Sequence, residues 1–310
     1  MKVLRHLIFL LLCLPIPATA FATLFSDIYV FGDSLSDTDA YKNGTNYRGS
    51  NGDLWVEYLA PQIGLSYDQT TNYAQYGATT GQIKDQVDNY LFLSGNVADP
   101  DALYAVWGGP NDLFDQMGSL DLFSPTLAND INGIINAGVG NIVTAVSSLS
   151  TAGANSILVP NMPNLGITPG GIWLDQYLAT TSGLEGLVGL GALVSHEFNT
   201  ALATSLMASS IDVLLIDTFS LLGDVVVDPG TFGFSNVTDG CVSNLLGDLE
   251  VAPGFSDCIG YLYFDIVHPT TAAHAMLADR FYARAVPEPA TLALMALGLA
   301  GIGYRRYKAA

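Results

Sequence analysis

Short runs of β-branched and aromatic residues alternate along the chain with longer stretches whose apolar residues recur every three or four positions. Such short runs are typical of strands, and such longer stretches are typical of amphipathic helices. The predicted strands cover residues 27–31, 66–73 (the weakest), 103–107, 156–160 and 213–217. The predicted helices cover residues 53–63, 82–92, 127–149, 184–207 and 270–285. This alternation predicts an α/β fold with a mainly parallel five-stranded sheet flanked by helices.

Two long segments, residues 161–183 and 218–264, show neither pattern. We expect loops there, and loops of that length are usually functional or disordered. The first follows a predicted strand, which places it to line a pocket above the sheet. Glycines within residues 127–149 favour a broken helix interior. Neither a repeat nor a linker is apparent between the two ends, so we expect one domain.

The balance of charge excludes several classes of partner. The formal net charge is −19, and no lysine or arginine lies between Lys84 and Arg280. A nucleic-acid-binding protein needs a basic surface, so we expect no nucleic-acid partner. The acidity is also what keeps an exported protein soluble. Aspartates are abundant, but no EF-hand or nonapeptide calcium pattern is present, and we expect no metal.

The first 20 residues have the pattern of a secretory signal. Lys2 and Arg5 precede an apolar run at residues 7–14, and Ala18-Thr19-Ala20 forms a small-residue cleavage site. Cleavage after residue 20 or after residue 22 fits the sequence.

Removal of this signal leaves Cys241 and Cys258. An even number of cysteines in an exported chain predicts one disulfide, which here would staple a local loop. Two unpaired buried cysteines are the alternative.

The other end of the chain carries a second segment of unusual composition. Pro287-Glu288-Pro289 is followed by an apolar run at residues 291–303 and by Arg305, Arg306 and Lys308. This arrangement resembles the PEP-CTERM sorting signal of Gram-negative bacteria. The resemblance implies a transient inner-membrane anchor, a sorting protease that removes the tail, and release to the cell surface or extracellular matrix. A permanent tail anchor is the alternative, although the run is shorter than the roughly 20 residues of a full span.

Ser34 follows the first predicted strand directly, in Gly32-Asp33-Ser34-Leu35. In open α/β sheets, ligands bind at the carboxyl ends of the strands. A rigidly held serine at that edge is suited to act as a nucleophile. The alternative is that Ser34 and Asp37 only cap a helix.

A serine nucleophile needs a base, and three histidines remain outside the signal. His196 and His274 fall within helical patterns, where packed or surface roles are typical. His268 precedes the last predicted helix, and Asp265 lies three residues upstream. Across a tight turn, the carboxylate can bind one imidazole nitrogen and leave the other for the serine. A capping aspartate beside a surface histidine is the alternative.

Two further segments could supply hydrogen-bond donors for an oxyanion. Asn111 lies in Trp107-Gly108-Gly109-Pro110-Asn111, after the third predicted strand, and its side-chain amide can donate. Gly77 follows the weak second strand and can present a bare backbone N–H. Each segment is also compatible with an ordinary turn.

Taken together, Ser34, Gly77, Asn111 and the Asp265/His268 pair resemble the four sequence blocks of the GDSL family of SGNH hydrolases. Residues 51–60, residues 161–166 and His268-Pro269-Thr270 fit its secreted lipase, lecithinase and hemolysin-like branch.

The resemblance implies a three-layer flavodoxin-like fold that needs no cofactor. It also implies Ser34 as nucleophile, His268 as general base and Asp265 as the residue that orients it. The oxyanion hole would be the Ser34 and Gly77 amides and the Asn111 side chain. Tyr76, Pro110 and Asp39-Ala40 depart from the family pattern and could reshape the pocket.

The sequence therefore predicts a signal peptide, a hydrolase domain at residues 23–285 and a sorting tail at residues 286–310. The expected activity is hydrolysis of carboxylic esters through an acyl-serine, with a lipid or an acylated polysaccharide as substrate. A catalytically silent surface or matrix binding protein on the same fold is the alternative. Acyl length and oligomeric state are left open.

Overall fold

The computed structural model describes residues 24–39, 48–117, 119–242 and 257–286. The predicted signal peptide and the sorting tail beyond residue 286 lie outside these residues.

A four-stranded parallel sheet forms the centre of the fold, in the order β1-β2-β3-β4. The strands are Ile28–Gly32 (β1), Leu103–Trp107 (β2), Ser156–Pro160 (β3) and Leu214–Ile216 (β4). The α/β class with a parallel sheet is confirmed, and β2 and β3 have the predicted bounds. Helices cover both faces of the sheet, which is why β2 is apolar and buried along its whole length.

The predicted strand at residues 66–73 is wrong, and the part of the chain that is described contains four strands in this sheet rather than five. Only Asn72 bridges to Val30 of β1, and the Tyr73 N–H donates to the Val30 carbonyl at 2.8 Å. Asp68 caps a 3₁₀ turn at Gln69–Thr71, so local hydrogen bonds replace a strand ladder. The segment still lies beside β1, which gives the flavodoxin-like order 2-1-3-4-5 when it is counted as the second strand.

Helices cover the sheet on both sides. Their bounds are Trp55–Gln62 (α1), Thr80–Leu93 (α2), Pro110–Met117 (α3), Leu127–Ala152 (α4), Pro169–Thr180 (α5), Leu190–Ser209 (α6), Thr218–Val227 (α7) and Thr271–Ala285 (α8). α1 and α8 pack together on one face, where the Phe281 ring lies 5.0 Å from that of Trp55 and 5.6 Å from that of Trp107. α2, α4 and α6 pack on the other face.

The long helix α4 is continuous over 26 residues, so the expected break in its interior is wrong. Gly138 lies against the Phe198 ring, where a Cβ atom would approach to 3.0 Å, whereas Gly133 and Gly140 face open space. Close packing at one glycine therefore offsets the low helix propensity of all three. By length and composition α4 could also cross a membrane, but its buried residues form part of the core beside the sheet.

Both segments expected to be loops contain regular structure. α5 begins at Pro169, where the Thr168 side chain accepts the Gly171 N–H, and α7 begins after Asp217, which accepts the Ser220 N–H. These are ordinary start signals of helices, and the apolar periodicity alone did not reveal them. The second segment also contains a small parallel pair of strands, β5 (Asn236–Gly240) and β6 (Tyr261–Tyr263).

A disulfide joins Cys241 to Cys258 in the structure. The Cys241 N–H donates to the Tyr263 carbonyl at 3.0 Å, and the Val242 N–H donates to the Phe264 carbonyl at 2.8 Å. The covalent link therefore ties the end of β5 to the turn that leads into β6.

We expect the free energy of unfolding of the double variant Cys241→Ser/Cys258→Ser to be about 3 kcal/mol lower than that of the oxidised protein. Without the disulfide, the loop between the two positions, 17 residues apart, gains chain entropy in the unfolded state. Urea unfolding of both proteins measures the difference. Mass spectrometry of peptides prepared without a reductant tests whether Cys241 and Cys258 are linked. Two free thiols in protein from an oxidising compartment would contradict the linkage.

Candidate active site

Ser34, His268 and Asp265 form one hydrogen-bonded chain at the carboxyl edge of the sheet. The Ser34 Oγ lies 2.8 Å from the His268 Nε2, and the His268 Nδ1 lies 2.7 Å from the Asp265 Oδ2. Ser34 lies more than 200 positions from Asp265 and His268 in the sequence, and each of the three residues is less than 10% exposed. The structure thus brings together the nucleophile, base and orienting carboxylate expected from the sequence.

Ser34 is held by the tight turn that follows β1. Gly32 ends the strand, and a Cβ atom there would lie 2.9 Å from the Trp107 carbonyl. The Gln86 side chain accepts the Gly32 N–H at 2.8 Å and donates to its carbonyl at 2.9 Å. The Ser36 and Asp37 N–H groups then donate to the Asp33 carbonyl.

This turn does not continue into a helix, so the interpretation of Ser34 and Asp37 as a helix-capping pair is wrong.

His268 is fixed through both its ring and its backbone. The Asp265 Oδ1 accepts the Val267 and His268 N–H groups at 2.9 and 2.8 Å, while its other oxygen binds the imidazole. Gly49 lies so close to the ring that a Cβ atom would be 2.9 Å from the His268 Cδ2. A carboxylate bound in this way orients the imidazole and fixes its tautomer.

The other two histidines lie outside this chain of hydrogen bonds. His196 is exposed on α6. His274 is fully buried in α8, and burial lowers its pKa to about 3, so it is neutral at physiological pH.

The proposed oxyanion donors differ in whether they already donate a hydrogen bond within the protein. Within the part of the chain that the structure describes, neither the Ser34 N–H nor the Gly77 N–H donates a hydrogen bond. Gly77 has a φ of 75° and faces open space, which suits a glycine. The Asn111 Nδ2, in contrast, lies 3.2 Å from the Asp33 Oδ2 and 3.1 Å from the Ala78 carbonyl. The side-chain amide of Asn111 is therefore already engaged by two acceptors, and it would exchange one of them to bind an oxyanion.

Asp33 is a site residue that the sequence reasoning passed over. Its Oδ1 accepts the Leu35 N–H at 3.0 Å and its Oδ2 faces Asn111. Burial raises the pKa of this carboxyl to about 6, and the hydrogen bond from Leu35 offsets only part of the desolvation. Its position in the sequence could have indicated this, because a residue directly beside a serine at the end of a strand necessarily lies close to that serine.

Two other aspartates hold the neighbouring segments in place. Asp37 accepts the Tyr76 N–H at 2.8 Å and so positions the residue before Gly77. Asp112 accepts both the N–H and the hydroxyl of Thr80, at 2.9 and 2.6 Å, which joins α3 to the start of α2. Burial raises the pKa of Asp112. Neither contact is predicted by the sequence patterns.

A cavity of about 170 Å³ opens beside Ser34 and His268. Asn111 and Tyr76 also line it, while most of its wall is apolar, from Trp107, Phe114, Leu165, Leu222 and Leu277. Among the residues that the structure describes, neither a lysine nor an arginine lines this cavity.

A serine–histidine–aspartate chain at the edge of a parallel sheet is the arrangement of a serine hydrolase. A model of the GDSL-like Lipase/Acylhydrolase family matches residues 28–281, and a PEP-CTERM protein-sorting motif matches residues 285–306. The chain therefore belongs to the GDSL-like lipase/acylhydrolase family, and its sorting motif indicates export.

Several curated proteins are similar to this chain. Lipase 1 of Photorhabdus luminescens is 33% identical over 177 residues, covering 51% of this chain and 25% of the lipase. The thermolabile hemolysin of Vibrio parahaemolyticus is 25% identical over 285 residues, covering 82% and 62%. Esterase EstA of Pseudomonas aeruginosa is 26% identical over 321 residues, covering 83% and 46%. The chain thus spans between a quarter and about three-fifths of the length of these relatives.

We expect Asp33 to make folding depend on pH. A carboxyl whose pKa is raised from 3.8 to about 6 in the folded state favours the folded state when protonated. That contribution is present below pH 4 and is lost as the pH rises through 6, and two pH units correspond to about 3 kcal/mol. Urea unfolding between pH 4 and pH 7 should show this loss in the wild type and not in Asp33→Asn.

The Asp33→Asn variant also replaces one acceptor oxygen by an NH₂ donor, so the pH dependence of its stability, rather than its absolute value, is compared with the wild type. The surface variant Asp115→Asn controls for the change in net charge. A difference between wild type and Asp33→Asn that stays constant across the pH range would contradict the raised pKa.

Proposed function

We propose that this protein is an exported serine esterase that hydrolyses carboxylic esters through an acyl-serine intermediate. The observation that carries the proposal is the continuous chain from the Ser34 hydroxyl through His268 to the Asp265 carboxylate. In the first step the His268 Nε2 removes the hydroxyl proton while the Ser34 Oγ attacks the ester carbonyl. His268 then protonates the departing alcohol. A water molecule, activated by the same histidine, releases the acid and restores Ser34.

The negative charge that forms on the carbonyl oxygen needs donors already in place. The Ser34 and Gly77 N–H groups are the proposed donors from the backbone, and their lack of partners among the described residues supports this role. The Asn111 amide is the third proposed donor. It lines the cavity, and in this role it would exchange its hydrogen bond to Asp33 or to Ala78 for a charge-assisted bond to the oxyanion.

The substrate class follows from the family and from the cavity. The similar proteins carry the names lipase, hemolysin and esterase, and the cavity beside Ser34 is mainly apolar. Both observations support an ester of a lipid, whereas the sorting motif, which indicates export, supports an acylated polysaccharide of the surface or matrix. An ester panel from acetyl to long acyl groups, with acetylated xylan and phospholipid included, separates these substrates.

We expect Ser34→Ala and His268→Ala each to lower ester hydrolysis by at least about a thousandfold, because triad residues act as a unit. The release of p-nitrophenol from purified protein measures the rate, and circular dichroism checks the fold. His196→Ala is the matched control, since that histidine is exposed on α6 and should keep wild-type activity. Near wild-type turnover in Ser34→Ala would refute the mechanism, whereas an inactive wild type would favour a silent binding protein.

The two ends of the chain direct the proposed export and processing of the protein. A signal peptide at residues 1–20 or 1–22 is removed during export and leaves a hydrolase domain at residues 23–285. The tail at residues 286–310 holds the protein in the inner membrane for a short time, until a sorting protease releases it to the surface or matrix. The match of the sorting motif to residues 285–306 supports this order of events.

Truncation after Ala285 should preserve specific activity and abolish surface sorting, because all the proposed catalytic residues precede the tail. Cell fractionation locates the protein, and intact mass measures its ends. A triple alanine replacement of Pro287-Glu288-Pro289 keeps the apolar run and the basic end, and should also fail to sort. Released protein that still carries Arg305 and Arg306 would contradict cleavage and favour a permanent tail anchor.

A further inference from the structure

Asp33 is a buried carboxylate to which the proposed mechanism assigns no role. It directly precedes Ser34, it lines the active-site cavity, and it is only 1% exposed. It is not the carboxylate that orients the base, because Asp265 binds the His268 ring. A buried titratable group in such a cavity is a candidate for a functional role. The hydrogen bonds of its two oxygens indicate which role that is.

The two oxygens of Asp33 join the turn of Ser34 to the segment of Asn111. Oδ1 accepts the Leu35 N–H at 3.0 Å, and Oδ2 lies 3.2 Å from the Asn111 Nδ2. Ser34 lies between Asp33 and Leu35 in the chain, so the first hydrogen bond spans the residue whose N–H is a proposed oxyanion donor. The carboxylate therefore links two of the three proposed donors, although Asp33 and Asn111 lie 78 positions apart.

The acceptors around Asn111 select the orientation of its side-chain amide. The Nδ2 faces two of them, the Asp33 Oδ2 at 3.2 Å and the Ala78 carbonyl at 3.1 Å. Burial raises the pKa of Asp33 to about 6, so at pH 7 the carboxyl is still mostly ionised and can only accept. An amide turned by 180° would bring its oxygen against both acceptors, which repels. At neutral pH these acceptors therefore keep the NH₂ group of Asn111 as the donor on this side.

The two hydrogen bonds of Asn111 differ in how easily they are exchanged. A hydrogen bond to an ionised carboxylate is stronger than one to a neutral carbonyl. An oxyanion that binds the Asn111 amide therefore displaces the Ala78 carbonyl more easily than it displaces Asp33. With the bond to Asp33 kept, the second N–H of the amide is the one that turns to the oxyanion.

We propose that Asp33 is a positioning residue of the oxyanion hole, which holds the Asn111 side chain against the turn of Ser34 with its NH₂ group as the donor. This inference rests on the proposed function and deepens it, because it names the group that keeps one oxyanion donor in place. Asp33 touches neither the ester nor the reacting atoms. It acts on the reaction only through Asn111.

The charge of Asp33 could instead act on the reaction directly, and this alternative has a different signature. A carboxylate beside the site stabilises the His268 imidazolium and destabilises an oxyanion. Both direct effects persist when Asn111 is replaced, whereas positioning requires the Asn111 amide. A double-mutant cycle between the two positions therefore separates the two roles.

The cycle compares wild type, Asp33→Asn, Asn111→Ala and the double variant, with kcat and KM measured on a p-nitrophenyl ester. We expect Asn111→Ala to lower kcat by about 100- to 1,000-fold, and Asp33→Asn to lower it by about 10- to 100-fold, because the new NH₂ group at position 33 faces that of Asn111. KM should change by less than about twofold, since an oxyanion forms only during the reaction. The double variant should lose no more than about twofold beyond Asn111→Ala. Losses that multiply in the double variant would overturn the positioning role.

Two further variants guard against a general effect of removing a buried carboxylate. Asp33→Ser keeps an oxygen for the Leu35 N–H but is too short to reach Asn111, so it should lower kcat as Asp33→Asn does. The matched control is Asp112→Asn, on the same helix as Asn111, because Asp112 binds Thr80 instead. Its effect on kcat should multiply with that of Asn111→Ala. Circular dichroism checks the fold of each variant, and wild-type kcat in Asp33→Ser would refute the role.

Stability separates this inference from the proposed function, because unfolding in urea needs no turnover. The combined effect of Asp33→Asn and Asn111→Ala on the unfolding equilibrium should be at least about threefold smaller than the product of the single effects. Independent effects would contradict the contact between the two side chains. A wild type that hydrolyses no ester refutes the proposed function, even where this coupling is found. Hydrolysis that is unchanged in both Asp33 variants leaves the esterase standing and refutes the positioning role.

Discussion

The ends of β1 and β2 lie side by side, with Gly32 in register with Trp107, and the active site depends on this parallel pairing. Since both strands run in the same direction, the turns that follow them leave the sheet at the same edge. The first turn carries Asp33 and Ser34, and the second leads to Asn111. The absence of a side chain at Gly32 keeps the two turns close. The Gln86 side chain fixes the position of the first turn relative to the sheet, because it forms two hydrogen bonds to the backbone of Gly32.

Backbone N–H groups replace cations throughout this acidic site. The chain has no lysine or arginine between positions 84 and 280, and yet several carboxylates are buried around Ser34. Asp265 accepts two backbone N–H groups besides the imidazole, and Asp33 and Asp37 each accept backbone N–H groups as well. Hydrogen bonds to an ionised carboxylate are among the strongest available in proteins. They keep the carboxylates in place without the flexible side chains that a salt bridge would require.

The sequence allowed the sheet to be predicted, together with three residues that the structure brings into one hydrogen-bonded chain, Ser34, His268 and Asp265, because both depend on local patterns. β2 and β3 are buried on both faces and read as continuous apolar runs, so their bounds were correct. Ser34 and His268 stand directly after a strand and directly before a helix, where pattern and chemistry coincide. The predicted strand at residues 66–73 failed because Asp68 accepts the Thr70 N–H and Asn72 accepts the Ala74 N–H, so these side chains satisfy the backbone locally, and no periodicity reveals that competition. The hydrogen bond between Asn111 and Asp33 joins segments 78 residues apart, and no local pattern predicts a contact of that kind.

The disulfide of β5 has a consequence for where the enzyme takes its final form. The end of β5 pairs with Tyr263 and Phe264, and Gly240 lies so close to Asp265 that a Cβ atom would be 2.6 Å from its carbonyl oxygen. The segment that carries Asp265 and His268 is thus braced by a strand whose end is covalently anchored at Cys241. Thiols remain reduced in the bacterial cytoplasm and pair in the periplasm. The brace behind His268 is therefore completed only where the thiols of Cys241 and Cys258 can be oxidised, so this part of the fold takes its final form in an oxidising compartment.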